Sequence, residues 1–108
     1  MEYRLLGSTG LRVSRLCFGT LTIGPLQAGM DTDSGSALLK SAYDSGVTFF
    51  DTAEIYGTYA HLKAAFEETD DVIISTKCYA YDLKTARVSL DKARRELGRD
   101  VIDVMMQG

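Results

Sequence analysis

The chain has 108 residues, 45% hydrophobic and 25% charged, with a net charge of −3. That is enough for one domain with a sizeable core, and mild acidity gives no electrostatic reason to expect a nucleic acid or an anionic membrane as partner. No run approaches the eighteen or more apolar residues of a membrane span, and the first residues lack the apolar stretch of a signal peptide. Cys17 and Cys78 form no CxxC pair and no histidine cluster accompanies them, so no metal is expected. They read as reduced thiols of a cytoplasmic protein.

Tyr3-Arg4-Leu5-Leu6 and Leu11-Arg12-Val13 flank Gly7-Ser8-Thr9-Gly10, the pattern of a β-hairpin. Ser14 to Phe18 reads as the next strand, ended by Gly19-Thr20. A loop from Gly24-Pro25 to Gly29-Met30 leads to Asp31-Thr32-Asp33-Ser34, a cluster of N-cap residues. Ala37, Leu38, Ser41, Ala42 and Tyr43 are spaced as one face of a helix, with Gly46 as its C-cap. Thr48 to Asp51 is predicted as a strand, and Tyr59 to Glu68 as a helix with Leu62, Ala65 and Phe66 on one side. Val72 to Lys77 is a strand whose β-branched opening suits burial on both faces. Asp82 caps a long helix carrying Leu83, Ala86, Leu90, Ala93 and Leu97 and ending at Gly98, and Val101 to Met106 is the last apolar run. Strands alternating with helices predict an α/β fold with a parallel sheet built from βαβ units. The reading is an N-terminal β-hairpin plus (βα)3β, a parallel four-stranded sheet, in a single domain over residues 1–108.

Two of these strands end in chemistry. The run Thr48–Asp51 ends in a carboxylate, Tyr56 follows five residues later, and Val72–Lys77 ends in an ammonium. In a parallel sheet Asp51, Tyr56 and Lys77 all emerge at the carboxyl edge, where α/β proteins place their sites. Each also has a plainer reading alone: Asp51 as a cap for the next turn, Tyr56 as a packed surface ring, Lys77 as a solvated side chain. His61, the only histidine, is expected on the surface near the start of the second helix. Cys78 reads as a small buried residue, Met105-Met106 as core filling, and Arg94-Arg95-Glu96 as a solvated helix face. No GxGxxG follows a strand, so no Rossmann phosphate site is expected.

The block Gly46-Val47-Thr48-Phe49-Phe50-Asp51-Thr52-Ala53-Glu54-Ile55-Tyr56-Gly57, followed by Ser75-Thr76-Lys77, resembles the active-site region of the aldo-keto reductases, which are (β/α)8 barrels. Tyr3 to Ser14 is similar to the hairpin that plugs the bottom of that barrel, Phe18-Gly19-Thr20 to the end of its first strand, and Val101-Ile102-Asp103-Val104 to its fourth. The loop Thr20 to Gln27 is similar to a bacterial branch that often carries a ferredoxin-like tail, though no cluster-binding cysteine pattern is present. The resemblance implies half of a TIM barrel and NADPH-dependent reduction of a carbonyl. A free phenol, with a pKa near ~10, holds its proton too tightly for this at neutral pH, and a neighbouring ammonium eases its release. The resemblance gives Tyr56 the role of acid and Lys77 that of the ammonium, with Asp51 expected to hold Lys77. Gly19, Thr20 and Asp51 are implied at the nicotinamide end of the cofactor.

The resemblance also implies a carbonyl-orienting histidine after the fourth strand, at a position occupied here by Gly108 and preceded by Gln107. The chain is therefore read as a half-barrel truncated at its fourth strand, whose relic site binds no cofactor and is inactive alone. A working aldehyde or ketone reductase completed by oligomerisation, a structural or interaction module, and a degraded gene product are the alternatives. Open strand edges, and an inner face to which Phe49, Ile73 and Val104 are expected to point, predict a homodimer or higher homo-oligomer.

Overall fold

In the computed structural model, which describes residues 1–79 and 82–107, the chain opens with a short antiparallel hairpin. Strands β1 (Tyr3–Leu5) and β2 (Arg12–Ser14) pair with Tyr3 opposite Ser14 and Leu5 opposite Arg12. Its loop closes through the Leu6 N–H to the Leu11 carbonyl at 2.8 Å. The run expected as one strand from Ser14 to Phe18 is broken. Ser14 ends the hairpin, its Oγ donates to the Leu16 carbonyl at 2.6 Å, and the Arg15 N–H turns back to Glu2 at 2.7 Å. That local bend leaves Arg15 and Leu16 exposed and starts β3 only at Cys17 (Cys17–Gly19).

The rest alternates helix and strand: α1 (Thr32–Asp44), β4 (Phe49–Asp51), α2 (Tyr59–Phe66), β5 (Ile73–Cys78), α3 (Leu83–Leu97) and β6 (Val104–Gln107). Single 3-10 turns, Thr20–Ile23 and Glu54–Tyr56, follow β3 and β4. The four strands β3-β4-β5-β6 form one parallel sheet in sequence order, leaving β3 and β6 as its edges. β6 begins three residues later than the apolar run suggested, because the Asp103 carboxylate takes the Ile74 N–H at 3.1 Å and Val101 stays exposed. The starts of α1 and α3 and the end of α3 follow their local signals. Asp31 accepts from the Ser34 N–H at 2.7 Å, Asp82 from Thr85 at 2.8 Å, and Gly98 stops α3 in the left-handed region at φ 68°.

The helices pack on one face of the sheet. Phe50 and Ile74 from β4 and β5 meet Leu39 of α1, Leu62 and Phe66 of α2, and Ala93 and Leu97 of α3. The Phe50 and Phe66 rings meet tilted, 4.7 Å between centroids. The hairpin ties to the amino end of the sheet: Ser14 and Thr48 exchange hydrogen bonds at 2.9 and 3.1 Å, and the Tyr3 hydroxyl donates to the Gly46 carbonyl.

The buried side of α1 differs from expectation. Gly35, Ser36 and Leu39 are buried with Ala42 and Tyr43 beside them, whereas Ala37, Leu38 and Ser41 face solvent. Leu83, at the start of α3, is exposed, as is Met106, while Met105 packs on the core. His61 is buried at 6% exposure rather than on the surface. Its Nε2 lies 2.8 Å from the Met30 carbonyl, which can only accept, so this nitrogen carries the proton; Nδ1 is buried without a partner among the described residues. Room for the ring comes from Gly35: a Cβ there would strike His61 Cδ2 and come within 3.2 Å of Cγ and Nε2.

Alanine for glycine inside a helix ordinarily stabilises by about 1 kcal/mol. Gly35→Ala is expected to destabilise instead, by about 1–3 kcal/mol, because the hydrogen-bonded His61 ring cannot simply retreat. A urea unfolding midpoint at or above that of the parent protein would contradict this packing.

Candidate active site

Asp51 closes β4 and Lys77 is the penultimate residue of β5. Asp51 registers with Ser75, and Lys77 lies two residues further on. Alternate residues of a strand point to opposite faces. Since Phe50 and Ile74 enter the helix-covered core, Asp51, Ser75 and Lys77 share the other face.

Lys77 Nζ donates to both Asp51 carboxylate oxygens, at 3.0 and 2.9 Å, and to the Thr52 carbonyl at 3.0 Å. An ammonium has three protons, so all are engaged. The side chains are 20% and 31% exposed, sheltered enough for the pair to matter more than a surface ion pair. Burial alone would pull the Lys77 ammonium down. The hydrogen bond and charge of Asp51, with a smaller contribution from Tyr56, outweigh it and hold Lys77 above the usual lysine range.

Tyr56 is placed by a turn rather than by a strand. It ends the 3-10 turn Glu54–Tyr56, with its N–H on the Ala53 carbonyl at 3.0 Å, and Gly57 follows at φ 68°. Glu54 fastens this turn to α3 through Lys92 at 3.4 Å and Ser89 at 3.1 Å. Lys77 Nζ stands 5.2 Å from the centroid of the half-buried Tyr56 ring, within cation–π reach. The loop after β3 lies against the same turn. A Cβ on Gly24 would come 2.6 Å from the Tyr56 carbonyl oxygen and 2.7 Å from Thr58 Cγ2.

Of the other expected site residues, Gly19 is exposed and registers with Asp51. Thr20 is wholly buried; its hydroxyl donates to the Asp51 carbonyl at 3.1 Å, so it supports the site from beneath instead of presenting its side chain. Gly108 lies outside the described residues. Cys17 shares the open face and is exposed there; partial loss of water around its sulfur and then Asp51 push the thiol up, against Lys77.

Sequence reading missed a set of buried hydroxyls under the site. Thr58 Oγ1 lies 2.8 Å from both Thr20 Oγ1 and Thr52 Oγ1, and the Tyr59 hydroxyl lies 2.7 Å from Thr76 Oγ1. Their signal was available: threonines directly at the carboxyl ends of apolar strands must find partners when buried. Among the described residues no group of three or more His, Cys, Asp or Glu is placed to hold a metal, and no helix is long and apolar enough to cross a membrane.

The Aldo/keto reductase family profile matches residues 15–107. L-galactose dehydrogenase of Arabidopsis thaliana is 34% identical over 118 aligned residues, which take in 97% of this chain and 37% of that protein. The uncharacterized oxidoreductase YrpG of Bacillus subtilis is 54% identical over 59 residues, 53% of this chain and 17% of its own. In structure, the thermostable aldo-keto reductase Tm1743, solved with the inhibitor epalrestat, superposes with a TM-score of 0.82 at 30% identity, over 97% of this chain and 42% of its own. The chain spans less than half the length of these relatives. Its sheet corresponds to half of a (β/α)8 barrel. With a family match that runs through all four parallel strands and the turn bearing Tyr56, the chain belongs to the aldo/keto reductase family.

Proposed function

We propose that Asp51, Tyr56 and Lys77 make up the proton-donating side of an NADPH-dependent carbonyl-reduction site, and that these 108 residues alone hold too little of it to turn over. The observation that carries the reading is the Lys77 ammonium, fastened by Asp51 and Thr52 with the Tyr56 ring 5.2 Å away. NADPH, when bound, supplies the hydride for the carbonyl carbon. Tyr56 gives its phenolic proton to the carbonyl oxygen, Lys77 stabilises the phenolate left behind, and Asp51 fixes Lys77 and balances its charge. The open side suits a nicotinamide end: a Cβ on Gly19 would meet nothing within 4 Å, leaving room for a flat ring beside Asp51. Thr20 serves by holding the Asp51 carbonyl. Both cysteines are free, which supports a reducing, cytoplasmic setting.

Reduction also requires that water be kept from the reacting groups. Cys17 and Gly19 are exposed on the open face and Met106 is 44% exposed, so the described residues leave the site wet. Gly108, where the family resemblance sets a carbonyl-orienting histidine, has no side chain. The 108-residue protein is expected to show no NADPH oxidation with small aldehydes and no thermal shift at millimolar NADPH, since a ligand of the native state must raise its stability. A saturable rise of several degrees, or turnover abolished by Tyr56→Phe, would overturn the inactive reading.

The same openness supports association with a second copy. β3 and β6 are edge strands, and Phe49, Ile73, Val104 and Met106 lie on the face away from the helices. Covering ~600 Å² of such a face, at ~25 cal/mol per Å², is worth on the order of 15 kcal/mol before association costs. Two copies related by a two-fold axis bring eight strands together, which makes the homodimer the simplest cover. Light scattering at micromolar concentration is expected to give at least twice the chain mass; a monodisperse 11.8 kDa species that binds no hydrophobic dye contradicts it.

The ion pair has its own pH signature. Lys77 binds its proton more tightly folded than unfolded, so its contribution to stability is complete below the ordinary lysine value of about 10.4 and is lost as pH rises through the higher folded value. Asp51→Asn is expected to cost about 1–3 kcal/mol at neutral pH, a difference that narrows only above pH ~10.4. Urea titrations of both proteins across that range check the sign; a gap that widens with alkalinity contradicts it.

A further inference from the structure

Thr58 precedes α2, where a threonine hydroxyl ordinarily accepts from a backbone N–H in the first helical turn. Here it makes no such bond. Its Oγ1 lies instead between Thr20 Oγ1 and Thr52 Oγ1, 2.8 Å from each, and all three residues are fully buried. The polarity of this chain is fixed by its end. Thr20 gives its only hydroxyl proton to the Asp51 carbonyl, so Thr58 must donate to Thr20 and Thr52 to Thr58. Thr52 is also the residue whose carbonyl takes the third proton of Lys77. Two consecutive peptide units are thereby tied through one hydroxyl: Asp51, which supplies the carboxylate, and Thr52, which supplies the carbonyl. A Cβ on Gly24 would come 2.7 Å from Thr58 Cγ2, so the glycine leaves this side chain its room. The next residue makes a matching contact, Tyr59 to Thr76, one position before Lys77 on β5.

We propose that Thr58 is a positioning residue of this site: by giving up the helix cap to join Thr20 and Thr52, its hydroxyl fixes the Asp51–Thr52 segment that holds Lys77, and so sets where the ammonium stands relative to Tyr56. The proposal rests on the reading of Asp51, Tyr56 and Lys77 as the proton-donating set. Thr58 touches neither substrate nor cofactor; it acts only through the peptide units above it.

The test follows the Lys77 side chain by NMR through an alkaline titration of the 108-residue chain. In the parent protein Lys77 is expected to titrate above ordinary lysines. Thr58→Val, which keeps the shape and removes the hydroxyl, is expected to bring it down toward them, with amide exchange of Leu39, Phe50 and Leu62 unchanged. Thr58→Ser, which keeps the hydroxyl, is expected to restore the parent value. An unmoved Lys77 in Thr58→Val overturns the proposal, and so does failure of Thr58→Ser to restore it, which would assign the effect to the methyl group. If Thr58→Val does not fold, Thr20→Val cuts the same chain at its Asp51 end and is read by the same criteria. Tyr56→Phe separates the two levels of the argument. It is expected to lower the Lys77 titration modestly; if it does not, the proton-donating reading falls and this proposal with it. If it does and Thr58→Val does not, only the role of Thr58 falls.

Discussion

Everything at the site depends on the parallel register of the sheet. Side chains alternate between faces, so the pairing that sets Phe50 beside Ile74 also sends Asp51, Ser75 and Lys77 to the opposite side. A slip of one residue would exchange the faces and bury the carboxylate among Leu39, Leu62 and Phe66. Each large apolar side chain on the helix side contributes about 1.5–3 kcal/mol of burial, whereas a hydrogen bond to a charged group contributes about 1.5–3 kcal/mol net only when well made. The core outweighs the ion pair in number of groups, and so it is the core that places the ion pair.

The pair then stands on its own geometry. Removing an ammonium from water is costly, and mutual attraction repays that only when the remaining protons also find acceptors. Lys77 meets this condition, with two carboxylate oxygens and one carbonyl for three N–H bonds. Tyr56 is held differently. No strand fixes it; its place comes from a single 3-10 turn, a left-handed Gly57, and contacts reaching in from the loop after β3 and from α3. Tyr56 and Lys77 are thus anchored by separate parts of the fold, and the buried hydroxyls of Thr20, Thr52 and Thr58 lie where those parts join.

What was legible in the sequence was local. The hairpin, the caps at Asp31, Asp82 and Gly98, and the alternation of strand and helix each rest on a few adjacent residues, and the structure carries them. Asp51 and Lys77 were legible because strand ends fix them, and Tyr56 through the resemblance of the block Gly46 to Gly57; the turn that carries it was not read from the sequence. What was not legible depended on distant partners. Gly35 and Ser36 have no hydropathy to mark them as buried, yet their small size lets α2 and His61 approach. His61 is buried because a carbonyl 31 residues away accepts its proton. The break at Arg15–Leu16 and the late start of β6 follow from side-chain hydrogen bonds of Ser14 and Asp103 that compete with the ladder. Thr20 stands at the nicotinamide end through the family resemblance; that its side chain is buried against Thr58, 38 residues later, has no local signal.

The open face is graded along its strands, and the grading constrains whatever covers it. On β4 and β5 the amino halves offer Phe49 and Ile73, registered side by side, while the carboxyl halves offer Asp51 and Lys77, with Ser75 buried between the strands' halves. The hairpin is tied to the sheet at the amino end, through Ser14 to Thr48 and Tyr3 to Gly46, which gives the apolar half a neighbour and leaves the polar half free. β6 departs from this pattern, for it sets Val104 beside Ser75 and Met106 beside Lys77. An apolar surface laid flat over the whole face would strand the Asp51–Lys77 pair without water and without new partners, a costly arrangement. A cover that packs on Phe49, Ile73 and the β6 edge but stands off at the carboxyl end avoids that cost. Such a cover would leave Asp51 and Lys77 their water and their partners while burying Phe49 and Ile73.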